Sequence, residues 1–400
     1  MVAAAEAAKR GASVVLAEKN SKTGVKILMS GGTRCNLTQD TDARGIVSAF
    51  GHSGRFLQKS VGMFPPTAVV RMFSELGVPT KVEPTGKIFP QSDRALHVRD
   101  ALQRYAEQAG VQIRLRAAVR DLRREGDRWC ADTDDGQLTA DRVIVTSGGK
   151  SWPGCGTTGD GYGWLQRVGH TIVPPRPALV PLVGGYAWTH ELSGVTLDDC
   201  VATVRPRAAT AKKDKPLIRR RSSLLLTHFG FSGPAAMDVS GLITAADSLS
   251  DVQLVVDLLP DVSAEQIRQQ LSDRSGSGGR SQVAAVLGKW LPNRLAAAVA
   301  AESGCDCTVA ELPRASAMKL INMVKTLDLP VTGTRGFEKA EVTTGGVSCG
   351  EVDPRTMASR VADNLYIAGE VLDVDGWIGG YNFQAAFSTG RAAGIAAAGD

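Results

Sequence analysis

The chain has 400 residues, of which 43% are hydrophobic and 22% charged, and its net charge is +5. This length exceeds what one hydrophobic core usually serves, so we expect two or three structural units. No apolar run reaches the roughly 18 residues that span a bilayer. Glu6, Lys9 and Arg10 also interrupt the N-terminal alanines before the apolar core of a signal peptide develops. The sequence therefore predicts a cytoplasmic protein without a membrane segment.

The cysteines and histidines favour neither a disulfide framework nor a metal centre. The seven cysteines are scattered and include no Cys-x-x-Cys pair, which is typical of a reducing compartment. The histidines form no His-Glu-x-x-His sequence and have no partner at zinc-ligand spacing. We therefore predict no metal site.

The first 150 residues alternate between helices and strands. The N-terminal helix is rich in alanine and is closed by Gly11, and the strand that follows it ends before Glu18. We predict helices over 1–11, 66–76 and 95–109, and strands over 13–17, 111–115, 119–122, 129–133, 137–140 and 143–149.

From about residue 180 the pattern becomes β-rich and is punctuated by prolines, and near residue 340 it returns to α/β character. In this part we predict strands over 201–205, 223–227, 253–258 and 365–368, helices over 264–271, 283–287, 295–301, 318–324 and 382–398, and a flexible break at 275–279.

The order helix, Gly11, strand and Glu18 matches the second half of a dinucleotide-binding βαβ unit. In such a unit an acidic residue about 20 positions beyond the glycine loop binds a ribose hydroxyl. Glu18 stands at that place, so we expect the first strand and the glycine loop to precede residue 1. An acid after a strand more often only caps the strand end, so Glu18 alone leaves both interpretations open.

A glycine- and cation-rich segment, KTGVKILMSGGTRCN at 22–36, strengthens the nucleotide-binding interpretation. Its small residues permit close backbone approach, and its cations can hold phosphate. Further motifs follow in chain order: GKIFPQSDRA at 86–95, TSGGKSWP at 146–153, GTTGDGY at 156–162, THFGFSGP at 227–234, TGGV at 344–347, LYIAGEVLDVDG at 365–376 and GGYN at 379–382.

Together these motifs resemble the bacterial HI0933-like flavoproteins, also known as the BaiN/YhiN-like or aminoacetone-oxidase family of FAD-binding enzymes. The resemblance covers essentially the whole chain, and several independent motifs in the same order argue against chance similarity. Thr33 stands where the family pattern has a third glycine. A residue with a Cβ atom at this position needs either a negative φ or some strain.

The resemblance implies an α/β fold in which a Rossmann-like FAD-binding domain is split by an inserted β-barrel-like domain and a helical subdomain. We expect the FAD-binding domain over 1–182 and 343–400, the inserted β-rich domain over 183–260 and 326–342, and the helical subdomain over 261–325. We expect the insertion to cover the flavin and to select the substrate.

The resemblance also assigns residues to FAD and leaves NADH or NADPH as a candidate electron donor. Glu18 would bind the adenosine ribose, and Gly369 and Glu370 would lie by the ribityl and pyrophosphate portion. The helix start at Gly379 would approach the isoalloxazine, because a helix N-terminus favours the negative charge that reduced flavin develops. The alternative is that Gly379 and Gly380 only form a turn before a packing helix. The other residues expected around FAD are Lys19, Lys26, Ser30, Gly31, Gly32, Arg34, Cys35, Asn36, Val119, Gly148, Gly149, Gly380, Tyr381 and Asn382.

No single residue identifies itself as catalytic. Cys35 has no resolving cysteine in a Cys-x-x-Cys pair, so we interpret it as a small residue beside the cofactor rather than a redox thiol. We interpret His228 as structural rather than as a proton donor. Six cations lie between Lys212 and Arg221. Such a run is usually a solvated loop, so we do not expect a nucleic-acid partner.

The sequence therefore predicts an FAD-dependent oxidoreductase. Such an enzyme moves hydride or electrons between NAD(P)H or an organic substrate and a second acceptor, and we expect a small-molecule substrate whose identity the sequence does not give. Two alternatives stay open. One is an RNA-modifying flavoprotein, which the cation run would serve, and the other is a non-enzymatic chain that lacks the phosphate-binding loop.

Overall fold

The fold is that of a computed structural model, which describes residues 1–207, 215–272 and 278–399. The helices are α1 (Val2–Ala8), α2 (Val25–Met29), α3 (Ala43–Ser48), α4 (Gly54–Met63), α5 (Pro66–Glu75), α6 (Ala95–Gln108), α7 (Asp160–Val168), α8 (Ala187–Glu191), α9 (Pro234–Ala245), α10 (Ala264–Ser272), α11 (Val283–Leu287), α12 (Asn293–Glu302), α13 (Arg314–Lys325) and α14 (Tyr381–Ala398).

The strands are β1 (Val15–Glu18), β2 (Thr38–Gln39), β3 (Thr80–Val82), β4 (Lys87–Pro90), β5 (Gln112–Leu115), β6 (Val119–Glu125), β7 (Arg128–Thr133), β8 (Gly136–Ala140), β9 (Val143–Val145), β10 (Ile172–Ala178), β11 (Leu182–Gly184), β12 (Thr196–Pro206), β13 (Ile218–Thr227), β14 (Gly230–Ser232), β15 (Val252–Asp257), β16 (Leu327–Leu329), β17 (Val331–Thr334), β18 (Val342–Val347) and β19 (Leu365–Ile367). The chain divides into unit 1, Met1–Pro177 with Ala340–Asp400, and unit 2, Ala178–Lys339.

Two pairs of parallel strands organise unit 1. β1 pairs with β5, ending at Glu18 opposite Leu115, and β9 pairs with β19, ending at Val145 opposite Ile367. Parallel neighbours require crossover connections, and the helices between the strands provide them. This arrangement confirms the predicted Rossmann-like α/β class.

Antiparallel strands and helices complete unit 1. β6, β7 and β8 form a three-stranded sheet that buries Trp129, and β2, β4 and β3 form another. β10 pairs with β18. The C-terminal helix α14 packs along α1, and Gly394 permits this approach because a Cβ atom there would lie 2.2 Å from the carbonyl oxygen of Ala3.

Unit 2 is built on a seven-stranded sheet in the order β16-β15-β12-β13-β14-β11-β17. Its two edge strands, β16 and β17, are joined through Pro330, so the sheet curls back on itself as a barrel-like structure. One sheet face and helices α10 to α13 share a hydrophobic core that includes Val256, Leu226, Ile267 and Val299. This core agrees with the predicted β-barrel-like insertion and helical subdomain.

The sequence missed helix α9, although the THFGFSGP motif at 227–234 ends at the first residue of this helix. The helix follows Gly233, whose φ is +83°, and Pro234 occupies its first turn. Seven of its residues are buried. An apolar helix that is buried on most sides has no polar face, so it lacks the periodicity on which prediction depends.

Two predicted segments fall partly outside the described residues. Lys212 and Lys213 of the cation run lie there, as do 275–277 of the predicted flexible break. Within the described ranges, no helix has the length and apolar character needed to cross a membrane. No group of three or more acidic, histidine or cysteine side chains there is placed to hold a metal ion.

Candidate functional site

Glu18 ends β1 and fixes the start of the loop behind it. Its Oε1 accepts hydrogen bonds from the backbone N–H of Asn20 at 2.8 Å and from Nδ2 of Asn20 at 3.0 Å. Nδ2 of Asn20 also donates to the carbonyl oxygen of Cys155 at 3.1 Å. Oε2 of Glu18 has no partner among the described residues, so half of the carboxylate is free to accept a ligand hydroxyl.

Lys19 links the end of β1 to the start of α7. Its Nζ donates to Oγ1 of Thr158 at 2.7 Å and lies 2.5 Å from Oδ2 of Asp160. Burial raises the pKa of Asp160, but the hydrogen bonds from Lys19 and Thr158 outweigh it, and the net pKa is lowered. The carboxylate therefore stays charged, and Lys19 is held beside α7.

Lys26 and Glu370, both predicted site residues, meet in a hydrogen-bonded network. Nζ of Lys26 donates to Oε2 of Glu370 at 2.8 Å and to Oγ of Ser151 at 2.5 Å. The Ser151 hydroxyl donates to Oε1 of Glu370 at 2.9 Å, and the backbone N–H of Thr343 donates to the same oxygen at 2.9 Å. The sequence did not single out Ser151 individually, although it lies in the TSGGKSWP motif at 146–153, and it did not single out Thr343, which directly precedes the TGGV motif at 344–347.

The glycines that follow β9 and β19 allow this network to be compact. A Cβ atom on Gly149 would lie 2.4 Å from Oγ1 of Thr343, and one on Gly148, whose φ is +76°, would lie 3.3 Å from Cγ2 of Thr157. The backbone N–H of Gly369 donates to Oγ1 of Thr389 on α14 at 3.1 Å. Gly149 therefore has no room for a Cβ atom, and the positive φ of Gly148 favours glycine.

The loop from Ser30 to Asn36 has an unusual run of left-handed backbone. φ is positive at Gly31, Gly32, Thr33 and Cys35, with +67° at Thr33 and +63° at Cys35. Left-handed backbone is strained for any residue with a Cβ atom, and most for a β-branched one. Of the two possibilities that the sequence left for Thr33, the structure shows the strained one.

Arg34 binds to acidic and aromatic side chains of the protein. Its guanidinium pairs with Glu83 at 2.6 Å and Asp93 at 3.3 Å, and it lies 4.0 Å from the ring centroid of Phe89. The arginine therefore ties the loop to β4 and its neighbours. Ser30 donates to the carbonyl oxygen of Ile27 at 2.8 Å and closes the other end of the loop.

Cys35 is completely buried, and burial raises the pKa of its thiol to about 12. A thiol with that pKa is not a thiolate near neutral pH, and the thiolate is the reactive form. The environment therefore argues against Cys35 as a redox thiol, and its place beside the cofactor stays a prediction. Val119 lies in β6 opposite Thr133, and His228 of unit 2 contacts Phe229 edge to face.

The turn before α14 presents bare backbone. φ is +141° at Gly379 and +89° at Gly380, and no side chain caps the start of the 18-residue helix at Tyr381. A Cβ atom on Gly380 would lie 2.6 Å from the carbonyl oxygen of Thr38. Asn382 closes the preceding loop through hydrogen bonds with the backbone N–H and C=O of Gly376 at 2.8 and 2.9 Å. The first turn of α14 therefore has no side-chain cap among the described residues, and a helix N-terminus favours partial negative charge.

Buried polar atoms without partners lie beside these glycines. Oδ1 of Asn36 and Oε1 of Gln39 are buried and unpaired within the described residues. They would lie 2.7 Å from a Cβ atom on Gly380 and 3.1 Å from one on Gly379, respectively. The hydroxyls of Ser147 and Tyr162 are also buried and unpaired. Buried polar groups normally have partners, so these atoms fit a polar cofactor with many hydrogen-bonding groups.

A carboxylate pair that the sequence did not single out lies next to this turn. Asp375 accepts a hydrogen bond from Oγ1 of Thr344 at 2.9 Å, and Asp373 accepts one from the backbone N–H of Gly345 at 3.0 Å. Burial, followed by the neighbouring Asp373 carboxylate, raises the pKa of Asp375 to about 6, while Thr344 opposes the shift. His52 lies 3.9 Å from Asp373, which raises the pKa of the imidazole.

Comparison with known proteins identifies the family. Residues 1–396 match the HI0933-like protein Rossmann domain family. The chain is 33% identical to 3-dehydro-bile acid delta(4,6)-reductase of Clostridium scindens, covering 100% of this chain and 96% of the relative. It is 31% identical to ribosomal RNA dihydrouridine synthase of Haemophilus influenzae, covering 97% and 93%.

A solved structure shows a similar fold. The 3-ketosteroid-delta4-(5alpha)-dehydrogenase of Rhodococcus jostii aligns with a TM-score of 0.50 at 14% identity, over 100% of this chain and 94% of the other. At that identity the likeness concerns the fold alone. The family match over nearly the whole chain carries the assignment: the chain belongs to the HI0933-like family of FAD-dependent oxidoreductases.

Proposed function

We propose that this protein is an FAD-dependent reductase of carbon–carbon double bonds that are conjugated to a carbonyl group. The observation that carries the proposal is the chemistry shared by two relatives' names. A 3-dehydro bile acid with double bonds at positions 4 and 6 is a conjugated dienone, and dihydrouridine is uridine after saturation of a ring double bond conjugated to a carbonyl. Both reactions add a hydride and a proton to an electron-poor double bond.

We infer that unit 1 holds FAD, largely through the predicted residues. Oε2 of Glu18 is free to accept from a ribose hydroxyl, and the bare turn at Gly379 and Gly380 offers backbone N–H groups to the flavin ring. The network of Lys26, Ser151 and Glu370 would fix the segment between these two ends. When bound, FAD supplies the hydride, and the chain's own groups position it and set its electrostatic environment.

The cofactor proposal is tested by two matched glycine variants. Gly380→Ala places a Cβ atom 2.6 Å from the carbonyl oxygen of Thr38, whereas Gly62→Ala on α4 meets nothing within 4 Å. We expect the purified protein and Gly62→Ala to show bound-flavin absorbance after incubation with FAD, and Gly380→Ala to lose it. Circular dichroism melting of both variants separates lost binding from unfolding. Equal flavin content in a folded Gly380→Ala variant would contradict the placement.

The reaction is tested with NADH or NADPH as donor and two acceptors. We expect a 3-oxo-4,6-dienoic bile acid or a uridine-containing ribosomal RNA fragment to gain two hydrogens for each bond reduced, as measured by mass spectrometry. A flavin-loaded enzyme that consumes the donor with oxygen and reduces neither acceptor would overturn the proposal. The donor that bleaches the flavin identifies the nicotinamide preference.

A second candidate, modification of ribosomal RNA, is favoured by one observation. Two relatives at 31% and 30% identity, from Haemophilus influenzae and Escherichia coli, are named ribosomal RNA dihydrouridine synthase. The reaction class is the same as for the bile acid relative, and the two candidates differ in the size and charge of the substrate. A surface able to hold a polyanion therefore distinguishes them.

A further inference from the structure

Three carboxyl groups of the segment 370–375 are bound along three consecutive residues of β18. Each accepts a hydrogen bond from a different residue of that strand. The pairs are Glu370 with the backbone N–H of Thr343 at 2.9 Å, Asp375 with the hydroxyl of Thr344 at 2.9 Å, and Asp373 with the backbone N–H of Gly345 at 3.0 Å. Because the donors are neighbours in the chain, the three carboxyl groups lie close together.

The three carboxyl groups differ in the cations that face them. Glu370 pairs with Lys26 at 2.8 Å, and Asp373 lies 3.9 Å from Nε2 of His52. Asp375 forms no ion pair with any residue that the structure describes and receives a single hydrogen bond, from a hydroxyl. Negative charges that lie close together favour protonation of one of them. The proton therefore belongs on Asp375, the carboxyl group without a cation.

The electrostatic environment of Asp375 agrees with this placement of the proton. Burial raises the pKa of Asp375 to about 6, and the negative charges of Asp373 and Glu370 add to the shift. The hydrogen bond from Thr344 and the positive charge of His52 oppose it. A general acid works best when its pKa lies near the working pH. Asp375 can therefore both hold and release a proton near neutral pH.

Two other titratable groups beside β18 hold their protons too tightly for this role. Tyr162 lies on α7, which packs against β18, and burial, Glu370 and Asp373 raise its pKa well above the ordinary value. Sγ of Cys349 lies 3.5 Å from the carbonyl oxygen of Asp373, and burial and the Asp373 carboxylate raise the pKa of the thiol to about 12. Asp375 is therefore a better proton donor than either of them.

The loop that carries Asp375 leads into the bare turn before α14. The side chain of Asp375 is half-buried, and its Oδ2 has no hydrogen-bond donor among the described residues. The next residue, Gly376, is held by Asn382 of α14 through both its N–H and its C=O. It also packs against Phe50, since a Cβ atom at Gly376 would lie 2.8 Å from the ring. The carboxyl group is therefore fixed in the loop that enters the proposed flavin-binding turn.

We propose that Asp375 is the acid that donates a proton in the proposed reaction, and that Asp373 and Thr344 position it. This inference rests on the proposed reductase function and adds the source of the proton to it. Hydride addition to one carbon of the conjugated double bond leaves an enolate on the substrate. The other carbon of that bond takes the proton of Asp375, and the resulting carboxylate takes a proton from water. The hydride derives from the reduced flavin, and NADH or NADPH restores the reduced form.

The first test follows the reduction of two acceptors, a 3-oxo-4,6-dienoic bile acid and a uridine-containing ribosomal RNA fragment, by the flavin-loaded and pre-reduced protein without oxygen. In the unchanged protein the rate should fall as the pH rises through about 6, because only the protonated acid can donate. Asp375→Asn keeps an acceptor for the Thr344 hydroxyl but has no acidic proton. Its rate should be about 100-fold lower and independent of pH.

Two further variants bound this result. Asp375→Glu restores an acid and should recover part of the rate, whereas Asp363→Asn, at a side chain that is 89% exposed, should behave as the unchanged protein does. A full rate in Asp375→Asn would overturn the assignment and leave the proposed reductase function intact. Reduction of neither acceptor by the unchanged protein would instead overturn the proposed function and the inference that rests on it. Melting temperatures and flavin absorbance verify that each variant is folded and loaded.

A second test needs no turnover. Infrared spectra of the protein without substrate record the carbonyl stretch of protonated carboxyl groups. A band that titrates at about pH 6 should be present in the unchanged protein and absent from Asp375→Asn. Asp373→Asn removes a neighbouring negative charge and should move the midpoint to lower pH, whereas His52→Gln removes a positive charge and should move it to higher pH. The absence of such a band, or a midpoint that neither variant moves, would overturn the role of Asp375 as the acid.

Discussion

Lys26 and Glu370 form a hydrogen-bonded ion pair at 2.8 Å although 344 positions separate them in the chain. The pair joins the glycine- and cation-rich segment at 22–36 to the segment after β19, and Ser151 bridges them from the segment after β9. Their side chains are 30% and 19% exposed, so solvent screens the pair only in part.

A double-mutant cycle should detect this pair. Lys26→Met and Glu370→Gln are each expected to destabilise unit 1, and their urea unfolding should give a coupling free energy of about 1 kcal/mol. The control is the pair Arg120 and Asp134, whose side chains are 69% and 44% exposed. Its cycle, with Arg120→Gln and Asp134→Asn, should give nearly zero. Equal coupling in both cycles would show that the first pair has no special role.

Replacement of Thr33 by glycine should stabilise the protein. Thr33 has φ of +67°, and relief of that strain is expected to raise the free energy of unfolding by about 1 kcal/mol. Thr33→Ala is the control, because it removes the hydroxyl bond to Gly32 but keeps the Cβ atom. Urea denaturation measures both. A gain in Thr33→Ala as large as that in Thr33→Gly would mean that the hydroxyl, and not the backbone, is responsible.

Asp375→Asn should stabilise the protein increasingly as the pH rises. The pKa of Asp375 is raised to about 6, so its favourable contribution is complete below the unfolded pKa near 4 and is lost as the pH rises through 6. Asp375→Asn does not titrate, so its free energy of unfolding does not fall in this way. Above pH 7 it should exceed that of the unchanged protein by about 2–3 kcal/mol, since each unit of pKa shift is worth about 1.4 kcal/mol.

The measurement is the urea midpoint of Asp375→Asn at several pH values between 4.5 and 8. Asp363→Asn is the control, since that side chain is 89% exposed, and it shows whether the gain is specific to the buried carboxylate. If Asp375→Asn stabilised the protein equally at pH 4.5 and at pH 8, the raised pKa of Asp375 would be contradicted.

His170 should make stability fall in acid. Its side chain is fully buried between Oε2 of Glu351 at 3.1 Å and Oγ of Ser359 at 2.8 Å. Burial lowers its pKa, so the neutral ring stabilises the fold at high pH, and this contribution is lost as the pH falls through the unfolded value near 6.5. Stability should therefore fall between pH 7.5 and 5.5. His170→Gln should remove this fall, and His97→Gln, at an exposed position, should not. If the stability of His170→Gln depended on pH as that of the unchanged protein does, another group would be responsible for the loss of stability in acid.

The sequence predicted the parts of the fold and site that depend on local pattern. The helix α14 follows from its alanine-rich composition, and the turn at Gly379 and the acidic end of β1 follow from residues with specific backbone preferences and from the order of the elements. The charged end of β1 and the open helix start are therefore visible in the printed sequence.

The parts that the sequence did not predict depend on burial and on distant pairing. No residue near Lys26 in the sequence indicates that Glu370 is its partner. The two side chains come together only because β1 pairs with β5 and β9 pairs with β19 in the folded chain. Asp375 stands in a quoted motif, but only its surroundings raise its pKa. The cation run was treated as one set, whereas the strand register sends Arg220 to one face and Arg219 to the other.

The interruption of unit 1 by unit 2 has a consequence for biosynthesis. Ribosomes complete residues 178–339 before they add β18, β19 and α14, so unit 2 can fold while unit 1 is still unfinished. Until the last sixty or so residues emerge, β9 lacks its parallel neighbour and α1 lacks the helix that covers it. The nascent chain should therefore present an unpaired strand edge and an uncovered apolar helix late in translation, which makes it a natural client for ribosome-associated chaperones.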